Sequence, residues 1–190
     1  MTDLDSTPPP TAGERRDDRN DKFVRHLLML RRDNPGARAE LRRGDTAALS
    51  HRAVPYLASW HLTDREVNAA LLFGAAICRY DDIAHVAGHT FGAAAFSTLS
   101  PADRRDAAST SVGRRVVAAQ RQMLPLAHRT FTGLLTSINA NPRLAVDWVD
   151  LWRTYRRWDQ TDVHNQRLVR RRLLLDFYGT NPTSEESAAS

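Results

Sequence analysis

At 190 residues, with 42% hydrophobic and 26% charged positions, the chain is long enough for one substantial core and too short for several independent domains. Its longest nearly apolar run, Ala69 to Cys78, falls well below the ~20 residues of a membrane span, and MTDLDSTPPPTAGERRDDRND has neither the basic start nor the apolar stretch of a secretory signal, so a cytoplasmic location without a membrane partner is expected. The net charge of +5 conceals acidic ends: residues 22–182 carry 24 basic groups against 14 acidic ones, a net of +10 that points to nucleic acid or another anionic surface as partner.

The head, 1–20, is rich in Pro, Asp and Ser, shows no sustained apolar period, and is expected to be disordered, as is the tail, 183–190. Between them a single helical domain, 21–182, is predicted. Its first helix spans about Asp21 to Arg32 with Phe23, Leu27 and Leu30 on one face, and Asp33-Asn34-Pro35 stops it. Asn34 caps a second helix with Pro35 at its first position, running through Ala37 and Leu41 until Gly44. Thr63-Asp64-Arg65-Glu66 is a capping box that opens a long helix through Val67, Ala70, Leu71, Gly74, Ala75 and Cys78, apolar almost all round and therefore the central buried element. Cys78, the only cysteine, reads there as a small buried hydrophobe, and an intramolecular disulfide is excluded.

GHTFGAAAFSTLSPADRRD, with its Gly, Ser and Pro, reads as a loop-rich and mobile connection dividing the chain into halves of about 21–85 and 109–180. The second half opens with a helix near Ser109 to Met123. Another follows Pro125, holding Leu126, Phe131, Leu134, Leu135 and Ile138, and Asn141-Pro142 ends it. Leu144, Trp148, Leu151, Trp152 and Tyr155 form an amphipathic stripe that reads as core, with Trp158 less committed. A last helix from about Asp162 carries Val169, Leu173 and Phe177 on one face and closes at Gly179. No alternating runs bounded by hairpin turns occur. The expected fold class is all-α, a compact multi-helix protein of two packed helical halves.

All but one of the 27 basic residues are arginine, whose planar guanidinium suits bidentate phosphate contacts. They cluster at helical spacing. Arg38 and Arg42 lie four apart with Arg43 beside them; Arg114 and Arg121 lie seven apart with Arg115 adjacent; Arg156 and Arg157, with Arg153, take the side opposite Trp148 and Trp152. Arg167, Arg170 and Arg171 stand at i, i+3 and i+4, and no acid between Val163 and Leu175 neutralises them. Any one cluster is readily a solvated face with scattered ion pairs; four together favour binding. Such contacts are electrostatic, so with about five phosphates neutralised the log–log salt slope on a single strand is roughly −3.5.

Catalytic chemistry finds little support. Asp81-Asp82-Ile83-Ala84-His85 approaches the DDxxD motif with which isoprenoid synthases hold magnesium, but its fifth position is His and no second acidic motif follows. Asp81, His85 and His89 at i, i+4 and i+8 would share a metal-binding face on a continuous helix, which Gly88 opposes; histidines near a helix end are the simpler reading. No Walker A loop, GxSxG elbow or HExxH occurs. Two alternatives to a nucleic-acid binder stand: a small metal-dependent enzyme using Asp81, Asp82, His85 and His89, and a helical scaffold whose basic faces meet acidic proteins.

RRDNPGARAELRRG, VPYLASW, GHTFGAAAF, SVGRRVVAAQRQM, LWRTYRRWD and RRRLLLDFYG, in that order from about Asp21 to Gly179, resemble the small subunit of the type I-E CRISPR Cascade complex, the CasB family. The resemblance implies a non-catalytic, cofactor-free helical protein, present as a pair along the belly of a ribonucleoprotein. Implied partners are a second copy of itself, the backbone and large subunits, the guide RNA, and the target and displaced DNA strands. In such effectors base pairing reads sequence and protein holds backbones. The family's backbone-contacting positions carry over to Arg42, Arg43, Arg114, Arg115 and Arg121, and further to Arg157, Arg167, Arg170 and Arg171.

Overall fold

The computed structural model describes residues 12–179. Helix α1, Ala12–Asp33, ends where Asn34 takes extended backbone and accepts the Ala37 N–H on Oδ1 at 2.9 Å, opening α2, Pro35–Leu41, with proline in the first turn as the sequence predicts. After a short α3, Ser50–Ala53, and two 3-10 turns, the Thr63–Glu66 capping box starts α4, Asp64–Arg79. Nine consecutive or near-consecutive residues of α4 from Ala69 to Cys78 are buried, which makes it the central helix. Burial pushes the Cys78 thiol up to about 12, so it is an inert hydrophobe at neutral pH.

Helices α5, Phe91–Ser97, and α6, Pro101–Arg104, follow; then come α7, Ser111–Ala119, α8, Leu124–Asn139, α9, Trp148–Arg157, and α10, Val163–Tyr178. Side chains of Thr90, Thr110, Asp147 and Asp162 cap α5, α7, α9 and α10. Among the described residues the fold is all-α apart from one two-residue parallel pair, β1, Ala84–His85, with β2, Ala145–Val146, in register Ala84 to Ala145 and His85 to Val146. This pair clips the segment after α4 to the segment before α9.

Phe73 of α4 touches Trp148, Trp152 and Tyr155 of α9 at 6.1, 5.3 and 5.6 Å between ring centroids, and Phe23 of α1 meets Trp152 at 4.5 Å. The aromatic stripe is therefore core, and Trp158 joins it, fully buried with its indole N–H donated to the Gln122 carbonyl. Truncating any of these rings to Ala is expected to cost about 3–5 kcal/mol.

Three expectations need correction. Helix α1 begins at Ala12 and not near Asp21, so the expected disordered head is helical from Ala12 onward; Asp17 pairs with Arg153, Asn20 with Arg156, and Arg19 donates to the Trp60 carbonyl. Residues 1–11 and the expected disordered tail lie outside the described residues. The segment read as a loop dividing two halves supplies α5, whose Phe91, Ala94, Ala95 and Phe96 are buried against α10, and the core runs through both halves as one cluster. The helix expected from Ser109 to Met123 is shorter, since Ala107–Ser109 forms a 3-10 turn and α7 ends at Ala119.

Candidate nucleic-acid interface

The arginine clusters separate into cations that hold the fold together and cations that face outward. Arg156, expected among the binding set, turns inward: its Nε donates to Glu66 Oε1 at 2.6 Å and its Nη1 to Asn20 Oδ1 at 3.0 Å. Arg170 does the same. It donates to the carbonyls of Gln120 at 2.7 Å, Gln122 at 3.2 Å and Trp158 at 3.4 Å, pairs with Asp159 at 3.5 Å, and lies 5.2 Å from the Trp158 ring centroid. Desolvated guanidiniums with this many partners stabilise packing and have few donors left for a ligand. Arg157 is half-buried.

The remaining positions present their side chains to solvent. Arg42, Arg43, Arg114, Arg115, Arg121, Arg167 and Arg171 are exposed, and none makes an ion pair or side-chain hydrogen bond to a described residue. Arg38 is half-exposed and pairs with Asp81 at 3.0 Å. Arg170 bonds to the main chain on both sides of Arg121 and so holds the turn that follows α7 against α10. Arg114 and Arg121 flank an open groove of about 480 Å³ floored by Ala108, Val117 and Ala118. The α2 cluster is held elsewhere, where Arg79 donates to the Arg42 carbonyl and to Asp45. Sequence reasoning missed Arg25, Arg31 and Arg32, which line a cleft with Arg38; the Arg31-Arg32 doublet just before the Asn34-Pro35 break that leads to Arg38 was the available signal.

Beneath these surfaces runs a buried polar chain. Tyr155 Oη is 2.9 Å from His128 Nδ1, His128 Nε2 is 3.4 Å from Asp45, and Arg79 donates to the same carboxylate at 2.8 Å. Burial lowers the His128 pKa, with Asp45 opposing, and raises that of Tyr155 well above its ordinary value, so both are neutral hydrogen-bonding groups at pH 7.

Asp81, Asp82, His85 and His89 do not assemble into a ligand set. Helix α4 stops at Arg79, so their spacing never shares a helical face; Asp81 binds Arg38, and His85 Nδ1 accepts the Trp148 N–H at 3.2 Å. Among the described residues no group of three or more His, Cys, Asp or Glu side chains gathers as a metal site, and no helix is long and apolar enough to cross a membrane.

Fold and surface together define a class, a compact all-α protein with many exposed arginines that have no side-chain partner among the described residues, those just after α2, along and after α7 and on α10 among them. Residues 37–178 match the model of the CRISPR-associated protein Cse2 family, and the chain belongs to that family. Its fold is similar to the crystal structure of CasB from Thermus thermophilus, at 24% identity over 85% of this chain and 98% of that one with a TM-score of 0.61. The crystal structure of M. ruber CasB is similar at 18% identity, 90% and 98% coverage and a TM-score of 0.63. A chain of a CRISPR RNA-guided surveillance complex is similar at 23% identity, 90% and 98% coverage and a TM-score of 0.64. No curated protein matches in sequence.

Proposed function

We propose that the chain is a non-catalytic, nucleic-acid-binding structural subunit of a type I-E RNA-guided surveillance complex, stabilising guide RNA, target strand and displaced strand in antiviral defence. One observation carries this reading: Arg170 ties the turn after α7 to α10, while Arg114 and Arg121 on one side of that tie and Arg167 and Arg171 on the other are exposed without acidic partners among the described residues. Unpaired guanidiniums suit contacts to a phosphate backbone, which position a strand without reading its sequence. The aromatics that would stack on bases are in the core, which fits backbone holding and not sequence readout. Leu168 and Leu175, exposed on α10 beside Arg167 and Arg171, fit a subunit that works within an assembly. Family membership and the likeness to a chain of a surveillance complex support the same setting. Backbone and large subunits, and a second copy of the chain, are its protein partners. The soluble, cytoplasmic assembly makes tight binding by the lone subunit unnecessary.

The test is co-expression with candidate backbone and large subunits and a guide RNA. The chain is expected to co-purify and to lengthen R-loop lifetime, and Arg114→Glu/Arg121→Glu to shorten it while the subunit still assembles. A chain that never joins the complex sinks the reading.

A further inference from the structure

Between α1, α2 and the turn after α4 lies an open cleft of about 550 Å³. Arg25, Arg31 and Arg32 from α1 and Arg38 from α2 line it, facing Asp81 and Asp82, with the apolar stems of Leu28 and Met29 alongside. Arg31 is the unusual member. It is half-buried, and its Nη1 reaches only the carbonyls of Ile77 at 3.4 Å and Tyr80 at 3.3 Å, at the C-terminal end of α4. Both bonds are long. No carboxylate pairs with Arg31 among the described residues, and its Nε and Nη2 have no partner there. Burial lowers its pKa, with Asp81 and Asp82 pulling the other way, yet an arginine keeps its charge. A cation already partly stripped of water, with directional donors unused, gains more from an oxyanion than a solvated one does.

The other guanidiniums are held by exchangeable partners. Arg25 pairs with Asp21 and Arg32 with Asp33 at the surface, where ion pairs are weak. Arg38 is bound by Asp81 at 3.0 Å, both ends half-exposed, so a carboxylate occupies the place another oxyanion would take. Cations beside an apolar wall suit a phosphodiester with its sugar better than a free inorganic ion.

We propose that this cleft is a phosphodiester-binding site for a nucleic-acid strand, in which Arg31 and Arg38 hold the phosphate after it displaces Asp81 from Arg38. The proposal rests on the reading of the chain as a backbone holder and extends it to α1, which precedes the residues matching the family model. Asp81 then acts as a placeholder: it keeps Arg38 oriented and sets a threshold that only a competing polyanion overcomes.

The full chain, labelled with nitrogen-15, tests this through arginine Nε–Hε resonances assigned with Arg31→Lys, Arg38→Lys and Arg114→Lys. Titration with a short oligothymidylate at low salt detects weak binding by the lone subunit. The Arg31 and Arg38 signals are expected to shift and saturate together. Asp81→Asn is expected to tighten oligonucleotide binding about two- to fivefold. Asp82→Asn removes the same charge without breaking an ion pair and is expected to do less, and in an Arg38→Gln background the Asp81→Asn gain is expected to vanish. Silence at Arg31 and Arg38 while Arg114 responds overturns the cleft and leaves the functional reading standing. Silence at all of them overturns both. A response to a glutamate-rich peptide but not to the oligonucleotide overturns the cleft as a strand site.

Discussion

Glu66 and Arg156 share one carboxylate between two jobs: Oε2 accepts the Thr63 N–H at 3.1 Å to cap α4, while Oε1 accepts Arg156 Nε at 2.6 Å to anchor α9. With side chains only 18% and 15% exposed, neither charge is well solvated alone. Breaking one partner of such a pair strands the other, at about 3–5 kcal/mol for a fully buried case and less here. Arg156→Gln is expected to lower stability by about 2 kcal/mol, read as the urea midpoint, and Arg156→Met/Glu66→Gln to recover part of the loss. An Arg156→Gln chain of unchanged stability with weakened strand binding would return Arg156 to the interface.

The same carboxylate and the buried histidine set the acid limit. Burial raises the Glu66 pKa, but hydrogen bonds from Thr63 and Arg156 outweigh it and leave the group below its ordinary value. His128 is lowered by burial despite Asp45. In both cases the unfolded chain takes the proton first, so each group's stabilisation is present above its unfolded pKa and lost as pH falls through its folded one. Decline is expected to begin below the ordinary histidine value of 6.5 and to resume below the ordinary carboxyl value of 4.5. Urea unfolding across this range checks it: His128→Gln should flatten the upper slope and Glu66→Gln the lower. An upper slope that persists in His128→Gln assigns it to another group.

Gly92 sits where α5 crosses α10. A Cβ there would stand 2.8 Å from the Leu173 carbonyl, the Phe177 nitrogen and the Asp176 Cβ, none of which is the end of a flexible chain. Gly92→Ala is expected to cost about 1–3 kcal/mol by overpacking. Gly36, whose Cβ would meet only Asn34 Oδ1 at 3.5 Å, is the matched control, and Gly36→Ala should be neutral or stabilising. Equal melting temperatures for the two variants would show that the α5–α10 contact yields easily.

That glycine marks the boundary of what the sequence discloses. Caps are local chemistry, so Asn34-Pro35, Thr63 to Glu66 and Asp162 located helix starts, and the Trp148, Trp152, Tyr155 period located the core face. Glycine is a turn signal only when no neighbour needs its missing side chain; α5 is helical because α10 covers it, a long-range fact. The α1 extension likewise rests on Arg153 and Arg156, far along the chain. Arg167, Arg170 and Arg171 look alike by spacing, and only the places of Trp158, Asp159 and the Gln120 and Gln122 carbonyls separate the structural one from its exposed neighbours.

Arg170 and Arg171 therefore make opposite predictions from adjacent positions. Arg170→Gln takes the guanidinium donors from the carbonyls of Gln120, Gln122 and Trp158, leaving Gln122 only the Trp158 indole N–H, and removes a cation from the Trp158 face, so a lower melting temperature is expected. Arg170→Lys should rescue little, because a single ammonium cannot span those acceptors as the planar fork does. Arg171→Gln, exposed and unpaired among the described residues, should leave the melting temperature alone and reduce the salt slope of single-strand binding by roughly 0.7, the share of one phosphate contact. Thermal melting and salt titration of the two variants in parallel separate these roles. A slope unchanged in Arg171→Gln removes that residue from the interface, and an unshifted melting temperature in Arg170→Gln shows that α7 and α10 are held together without it.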